Sequence, residues 1–295
     1  MTPFVHHGKK IGIKVERDQA GSSHKYRAAA MCVRQAEAEG LIAPDRGDVL
    51  LDKSGGNFGQ GLVAFGRPRG YQVELLVRPS FSAYRRALLE SLGATLIGRQ
   101  EMADGWTNDQ ILKAHLAKAA EDGRRVHFVN QFNNPACVAG HRQAGRELAR
   151  QLQDEGLTED SPLAMVVGVG TGASLMGYAL ELKPAFPKLQ VILAEPEGCD
   201  LRRAEHRPHA FEGVSVGVGV PPLLDPALID GHVQATAQEA EDAKHRLFRD
   251  YGLFLGLSSH LVFAAALKVG AASEGRIVMI GYDGGEAYFA DRRGS

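Results

Sequence analysis

Residues Met165–Gly177 read MVVGVGTGASLMG, an apolar run that ends in a turn rich in glycine and hydroxyl groups. Ala164 to Val169 has the unbroken hydrophobicity of a buried strand, and Leu175 to Leu182 reads as the helix that follows. Between them, Gly168, Gly170 and Gly172 remove Cβ atoms where the backbone bends and comes close to another group. Thr171 and Ser174 add hydroxyl donors at the mouth of the helix. Free N–H groups, the positive helix end and small residues together make an anion site, best suited to a phosphate.

Outward from this turn, the chain repeats the same alternation. Towards the N-terminus, Ile11 to Glu16 reads as a strand and Lys25 to Glu39 as a helix, with Ser22 or Ser23 as its cap. Strands then follow at 48–52, 71–77, 95–97 and 126–129, and helices at 60–67, 82–92, 109–121 and 137–152. Beyond the turn come strand 190–195, an irregular Pro/Gly/His-rich region over 197–224, strand 233–235, helices 239–251 and 258–269, and strand 276–281. Strands alternating with helices imply an α/β fold of mostly parallel sheets flanked by helices. Loop residues cluster at 131–136 and mark a domain boundary.

With 295 residues, 44% hydrophobic and 23% charged, the chain has the composition of a globular enzyme of one or two domains. A formal net charge of -1 carries no basic footprint for nucleic acid. Glycine is the outlier, with 35 residues, or about 12% against a usual 7%. Cys32, Cys137 and Cys199 are odd in number and lack CxxC spacing, which points to a reducing compartment rather than a disulfide framework. The absence of a leader pattern and of a membrane-spanning run makes a cytoplasmic enzyme the expectation.

The turn at 168–173 also satisfies G-x-G-x-x-A, and Glu195 ends the next strand where a dinucleotide fold places its ribose-binding acid. An NAD(P)-dependent oxidoreductase is therefore a rival reading. Ser54-Gly55-Gly56-Asn57-Phe58-Gly59 is a second strand-to-helix glycine loop, suited to a small carboxylate or a ring oxygen. Lys25, at the mouth of its helix beside Ala28-Ala29-Ala30-Met31, has a destabilised charge and the setting of a Schiff-base lysine. Gly213-Val214-Ser215-Val216-Gly217 matches G-x-S-x-G, yet Gly219 and Pro221-Pro222 follow where a nucleophile elbow requires a helix. His6-His7 and the pair His206 and His209 have no carboxylate or cysteine partner at metal spacing and read as solvated, so no metal is expected.

Taken in order, these segments resemble the fold type II pyridoxal phosphate-dependent enzymes, in their cysteine synthase and cystathionine β-synthase branch. The resemblance runs nearly end to end: Thr2-Pro3-Phe4-Val5, the Ser22–Arg27 lysine segment, the Ser54–Gly59 loop, the helix Ser82–Gly93, Gln131-Phe132-Asn133-Asn134-Pro135, Gly170–Ser174, and Gly256-Leu257-Ser258-Ser259. It implies a tryptophan synthase β-like fold of two domains, each with a mostly parallel sheet. Residues 20–133 would form the smaller, mobile, substrate-side domain, and 1–19 with 134–295 the larger one, with pyridoxal 5′-phosphate in the cleft between. Lys25 would hold the cofactor as a Schiff base and move protons at the substrate α-carbon. Gly170, Thr171, Gly172, Ala173 and Ser174 would cradle the phosphate, and Asn57 would bond the 3′-oxygen. Ser54, Gly55, Gly56, Asn57 and Phe58, with Gln131, would bind the α-carboxylate of a small amino acid. The implied reaction is α-proton abstraction followed by elimination or replacement at the side chain, carried out by a homodimer.

Three residues depart from the family pattern. Gly55 replaces a serine and Phe58 a threonine, so two hydroxyls are missing and the site is narrowed. Asp283 stands where the family usually has a serine opposite the pyridine nitrogen. A carboxylate there favours a protonated ring, a stronger electron sink, and so a racemase or a γ-elimination enzyme is an alternative. A second reading of Asp283 has it facing solvent beside a glycine turn. The altered 54–58 loop also leaves open a non-catalytic pyridoxal phosphate carrier.

Overall fold

The computed structural model describes residues 1–79 and 81–291; residue 80 and residues 292–295, which fall within the expected domain spans, lie outside the described residues. The chain begins with β1 (Phe4–Val5), β2 (Ile11–Val15), α1 (Lys25–Ala38), β3 (Val49–Asp52), α2 (Asn57–Gly66), β4 (Gln72–Leu76) and α3 (Ala83–Ser91). It continues through β5 (Ala94–Ile97), α4 (Arg99–Ala103), α5 (Asn108–Glu121), β6 (Val126–Phe128), α6 (Ala136–Asp154), β7 (Leu163–Val167) and α7 (Ala173–Ala185). The last elements are β8 (Leu189–Pro196), β9 (Gly231–Ala235), α8 (Ala237–Tyr251), α9 (Leu257–Ala272), β10 (Arg276–Gly281) and α10 (Glu286–Asp291).

These elements fall into compact units. One gathers Met1–Asp18 and His141–Tyr288, and another contains Gln19–Gly140. The first holds a sheet in the order β1-β2-β10-β7-β8-β9, parallel throughout except for β1 against β2. Every residue of β7 and of β2 is buried; β7 accordingly reads as an unbroken apolar run, whereas β2 carries one charged residue, Lys14, into the interior. Helix α9 lies along β2, β10, β7, β8 and β9, and its small residues Ala264, Ala265 and Ala266 let it pack closely. Lys14 sits fully buried in β2, its ammonium donating to Glu147 at 3.0 Å, Gln151 at 2.8 Å and the Thr2 carbonyl at 2.8 Å.

The second unit holds an all-parallel sheet in the order β5-β4-β3-β6. Glycines set how closely its helices approach. A Cβ on Gly61 of α2 would lie 3.0 Å from Tyr26 backbone in α1, and one on Gly140 at the start of α6 would lie 2.4 Å from the Arg27 carbonyl oxygen. Glycine at both places lets α2 and α6 hold the first turn of α1, where Lys25 sits.

The α/β expectation holds: parallel-sheet domains flanked by helices are what the chain forms. Details differ. Helix α2 starts at Asn57 rather than Gln60, because the extended Gly56 ends the loop and its carbonyl already accepts the Gln60 N–H at 3.1 Å. Neither Ser22 nor Ser23 caps α1; its N-cap is His24 with helical dihedrals and no side-chain cap. Ser22 instead takes a positive φ of 53°, and Ser23 turns fully inward.

Candidate active site

Lys25 opens α1 and is half-buried. Burial of its amine pushes the pKa below the ordinary lysine value, and nearby Cys137, Asp52 and Cys32 partly oppose that shift. A depressed pKa gives the amine more of its neutral, nucleophilic form. Asp52, at the end of β3, is itself buried, and burial raises its carboxyl to about 6 against hydrogen bonds from Gln131 and the charge of Lys53. The Gln131 backbone N–H and side-chain amide donate to its two oxygens at 3.1 and 3.2 Å. Gln131 therefore spends one amide hydrogen on Asp52. Cys32 and Cys137 face each other with sulfurs 3.4 Å apart, and that contact together with burial pushes the Cys32 thiol up.

The 54–58 loop runs from β3 into α2. Ser54 accepts the Gly59 N–H at 3.1 Å, closing the loop on itself. At Gly55 a Cβ would lie 2.6 Å from Val77 and 2.9 Å from the Phe81 ring. The serine hydroxyl of the family pattern is thus replaced by packing: Phe81 fills the space a side chain would need. Phe58 is 2% exposed, so its ring belongs to the core of this unit rather than to an open wall. Behind Gly56 lies a cation that sequence reasoning missed. Arg85 of α3 is 6% exposed, and its guanidinium is 3.8 Å from where a Gly56 Cβ would sit. In sequence it is one of two arginines on a solvated-looking helix; only the packing of α3 separates it from Arg86.

The other unit carries the anion turn. A Cβ on Gly170 would be 2.4 Å from the Gly213 carbonyl oxygen, and Gly172, the N-cap of α7, has φ 84° with Leu224 pressed against it. Gly172 offers no side chain to cap α7, the helix start that suits an anion. Thr171 and Ser174 are 5% and 7% exposed, with the Thr171 hydroxyl accepting the Ala173 N–H at 3.4 Å. The Gly168 N–H donates to the Tyr282 hydroxyl at 3.0 Å, which ties this turn to the residue before Asp283. Asp283 is 3% exposed and accepts the Tyr288 hydroxyl at 2.7 Å. The solvent-facing reading of Asp283 does not hold. Gly256 makes the room, since a Cβ there would fall 2.2 Å from the Asp283 carboxylate.

Two other motifs resolve differently. Glu195 is 1% exposed and accepts the Leu201 N–H at 3.1 Å and the Ser215 hydroxyl at 2.9 Å, with His232 Nε2 at 3.0 Å. It is occupied inside the protein, not presented to a ribose. Ser215 is held by that same bond and no helix follows it. His206 and His209 depart from expectation: they do have a cysteine partner, because the fold brings Cys199 within 4.8 Å of both. The seven-residue spacing from Cys199 to His206 hid this, since a turn closes it only in three dimensions.

These donor sets suit pyridoxal 5′-phosphate: a turn with no room for Cβ atoms at a helix start for the phosphate, and a lysine whose amine is biased towards its neutral form. A family model described as "Pyridoxal-phosphate dependent enzyme" matches residues 2–283. A cysteine synthase of Staphylococcus aureus is 31% identical over 286 residues, which cover 95% of this chain and 87% of that protein. The crystal structure of a hydrogen sulfide-producing enzyme from Fusobacterium nucleatum superposes with a TM-score of 0.84 at 25% identity, covering 97% of this chain and 94% of that one. An O-acetylserine dependent cystathionine beta-synthase from Helicobacter pylori gives 0.77 at 26% identity, covering 95% and 88%.

Proposed function

We propose that this chain, which belongs to the pyridoxal-phosphate dependent enzymes and uses pyridoxal 5′-phosphate, abstracts the α-proton of a small amino acid and eliminates or replaces the group on its side chain. The observation that carries the reading is Lys25, whose amine is held below the usual lysine pKa at the head of a helix clamped by glycine contacts. When bound, the cofactor supplies the electron sink that makes an α-proton removable. Lys25 takes that proton and returns it, a task for which an amine with a lowered pKa is suited near neutral pH. Ser54, Gly55, Gly56, Asn57 and Phe58 present backbone groups to the substrate carboxylate, with Gln131 and the charge of Arg85 behind them. Asn57 would bond the cofactor's ring oxygen, and Gly170, Thr171, Gly172, Ala173 and Ser174 would hold its phosphate. Asp283, its carboxylate fixed by the hydrogen bond from Tyr288, would stand opposite the ring nitrogen.

The relatives' names, two synthases and a hydrogen sulfide-producing enzyme, fit elimination or replacement. They do not favour a racemase, a γ-elimination enzyme or an oxidoreductase, and the whole-chain family match goes against the dinucleotide reading. Free Cys32, Cys137 and Cys199 support a reducing, cytoplasmic setting, and among the described residues no helix is long and apolar enough to cross a membrane. A homodimer is part of the reading by family resemblance. The test uses O-acetylserine with and without sulfide, following cysteine, pyruvate and ammonia. Lys25→Ala is expected to slow turnover by about 10²–10⁴-fold, the range for losing a positioned acid–base group. Borohydride reduction of the wild type should leave a cofactor adduct on the Lys25 peptide. An adduct on another lysine, or unchanged turnover in Lys25→Ala, overturns the assignment.

A further inference from the structure

Outside this site, the irregular segment between β8 and β9 gathers Cys199, His206 and His209, with one ligand atom from each inside 4.8 Å of the others. The arrangement is built by the backbone. Asp200 and Glu205 form a two-residue antiparallel bridge, Asp200 N–H to the Glu205 carbonyl at 2.9 Å and Glu205 N–H to the Asp200 carbonyl at 3.0 Å. Cys199 and His206 flank that bridge on its two sides, so the closed turn sets them next to each other. Past the bridge, the Arg207 N–H donates to Cys199 Sγ at 3.5 Å and the thiol donates to the Arg207 carbonyl at 3.6 Å, a pair of contacts that fixes where the sulfur lies. Gly198, with φ 79°, lets Arg207 cross over it, as a Cβ there would lie 2.3 Å from the Arg207 side chain. His206 and His209 meet edge to face, ring centroids 5.4 Å apart.

We propose that Cys199, His206 and His209 form a binding site for one zinc-class divalent cation that braces the wall of the 168–174 turn. One thiolate and two imidazoles are a borderline-soft donor set of the kind zinc takes, with solvent at the exposed His206 side as the fourth ligand. Zinc bonds of about 2.0–2.3 Å place ligand atoms roughly 3.3–3.8 Å apart, so side-chain rotations of an ångström close the site. The outer contacts are in place as well. His209 Nε2 lies 3.4 Å from the Ser215 carbonyl oxygen and donates to it, which leaves Nδ1 as the ligating lone pair. Nδ1 now accepts the Phe211 N–H at 3.2 Å, a bond the cation would have to replace. Cys199 is 1% exposed, which shields the metal–sulfur bond from exchange.

What the cation would brace follows from the same segment. Ser215 donates its N–H to the Val169 carbonyl at 2.7 Å, and the Gly213 carbonyl oxygen is the atom that excludes a Cβ at Gly170. A fixed Cys199–His209 turn therefore holds the strip 213–215 against the anion turn, all within one unit.

The test takes holoenzyme dialysed against a chelator, adds Zn²⁺ or Co²⁺ alone, and measures bound metal together with the Co²⁺ ligand-field bands of a four-coordinate site. The wild type should bind one equivalent and show those bands. Cys199→Ser and His206→Ala should each weaken binding by at least about ten-fold, the lower end of what losing even an outer partner costs. His206 is exposed, so His206→Ala keeps the test valid should Cys199→Ser fail to fold. Added Zn²⁺ should raise the unfolding temperature of the wild type and not of His206→Ala. Less than one equivalent bound, or binding unchanged in both variants, overturns the proposal whether or not the enzyme reads as a cysteine synthase-like catalyst.

Discussion

Replacing Gly170 by alanine probes whether the 168–174 turn is the phosphate cradle. The new Cβ would sit 2.4 Å from the Gly213 carbonyl oxygen, whereas real Cβ atoms essentially never approach below 3.0 Å, so backbone must move by at least 0.6 Å. Neither side yields as a flexible side chain would, since the Ser215 N–H anchors the 213–215 strip to the Val169 carbonyl at 2.7 Å. Overpacking of this kind costs about 1–3 kcal/mol. On the cradle reading, the variant's turn has to give up the geometry that holds the phosphate or bear that strain when phosphate is bound. The cost then appears in the cofactor's Kd, as about 5- to 150-fold weaker binding. The assay is a titration of stripped protein with pyridoxal 5′-phosphate, with unfolding of the stripped protein followed in parallel. Gly217→Ala is the control, because a Cβ there meets nothing within 4 Å. A Gly170→Ala protein that folds and binds cofactor within two-fold of the wild type would refute the cradle.

Further expectations concern the second unit. Asp52 has a raised pKa in the fold, about 6 against 3.8, so burial favours its neutral form; the stability it contributes is present below pH 3.8 and lost as pH rises through 6. This amounts to about 3 kcal/mol, read as a loss of stability from pH 4 to 7 that is absent from Asp52→Asn in urea unfolding; parallel slopes would count against it. Gly55→Ser, which restores the family hydroxyl, should cost about 1–3 kcal/mol because Val77 and Phe81 occupy its space. Phe81→Ala in the same chain should recover part of that cost, and strict additivity in a double-mutant cycle would show that the ring is not the obstacle.

Much of this protein is legible along the chain because its signals are local. The β7 run Leu163–Val167, the glycines at 168, 170 and 172 and the start of α7 lie within one short stretch, where strand burial, turn geometry and helix start are each set by neighbouring residues. The Ser54–Gly59 loop and the Lys25 helix are of the same kind, and the alternation around them is enough to give the α/β class. Boundaries slipped where a side chain's direction decided them, as when Ser23 turned inward and left α1 uncapped.

Pairings of residues far apart in sequence emerge only once the chain is folded. Cys32 and Cys137 meet across 105 residues, Asp52 and Gln131 across 79, and Gly256 opens a space for Asp283. Arg85 and Arg86 cannot be told apart until α3 packs and buries the first of them. Cys199 and His206 became neighbours only through the backbone bridge at Asp200 and Glu205. The α/β alternation, the anion turn and the lysine segment are written along the chain, since these rest on periodicity and backbone freedom over a few residues. Packing decided which polar groups lost water, and with that the lowered pKa of Lys25, the raised pKa of Asp52 and the burial of Asp283, because desolvation depends on every element that closes over a group.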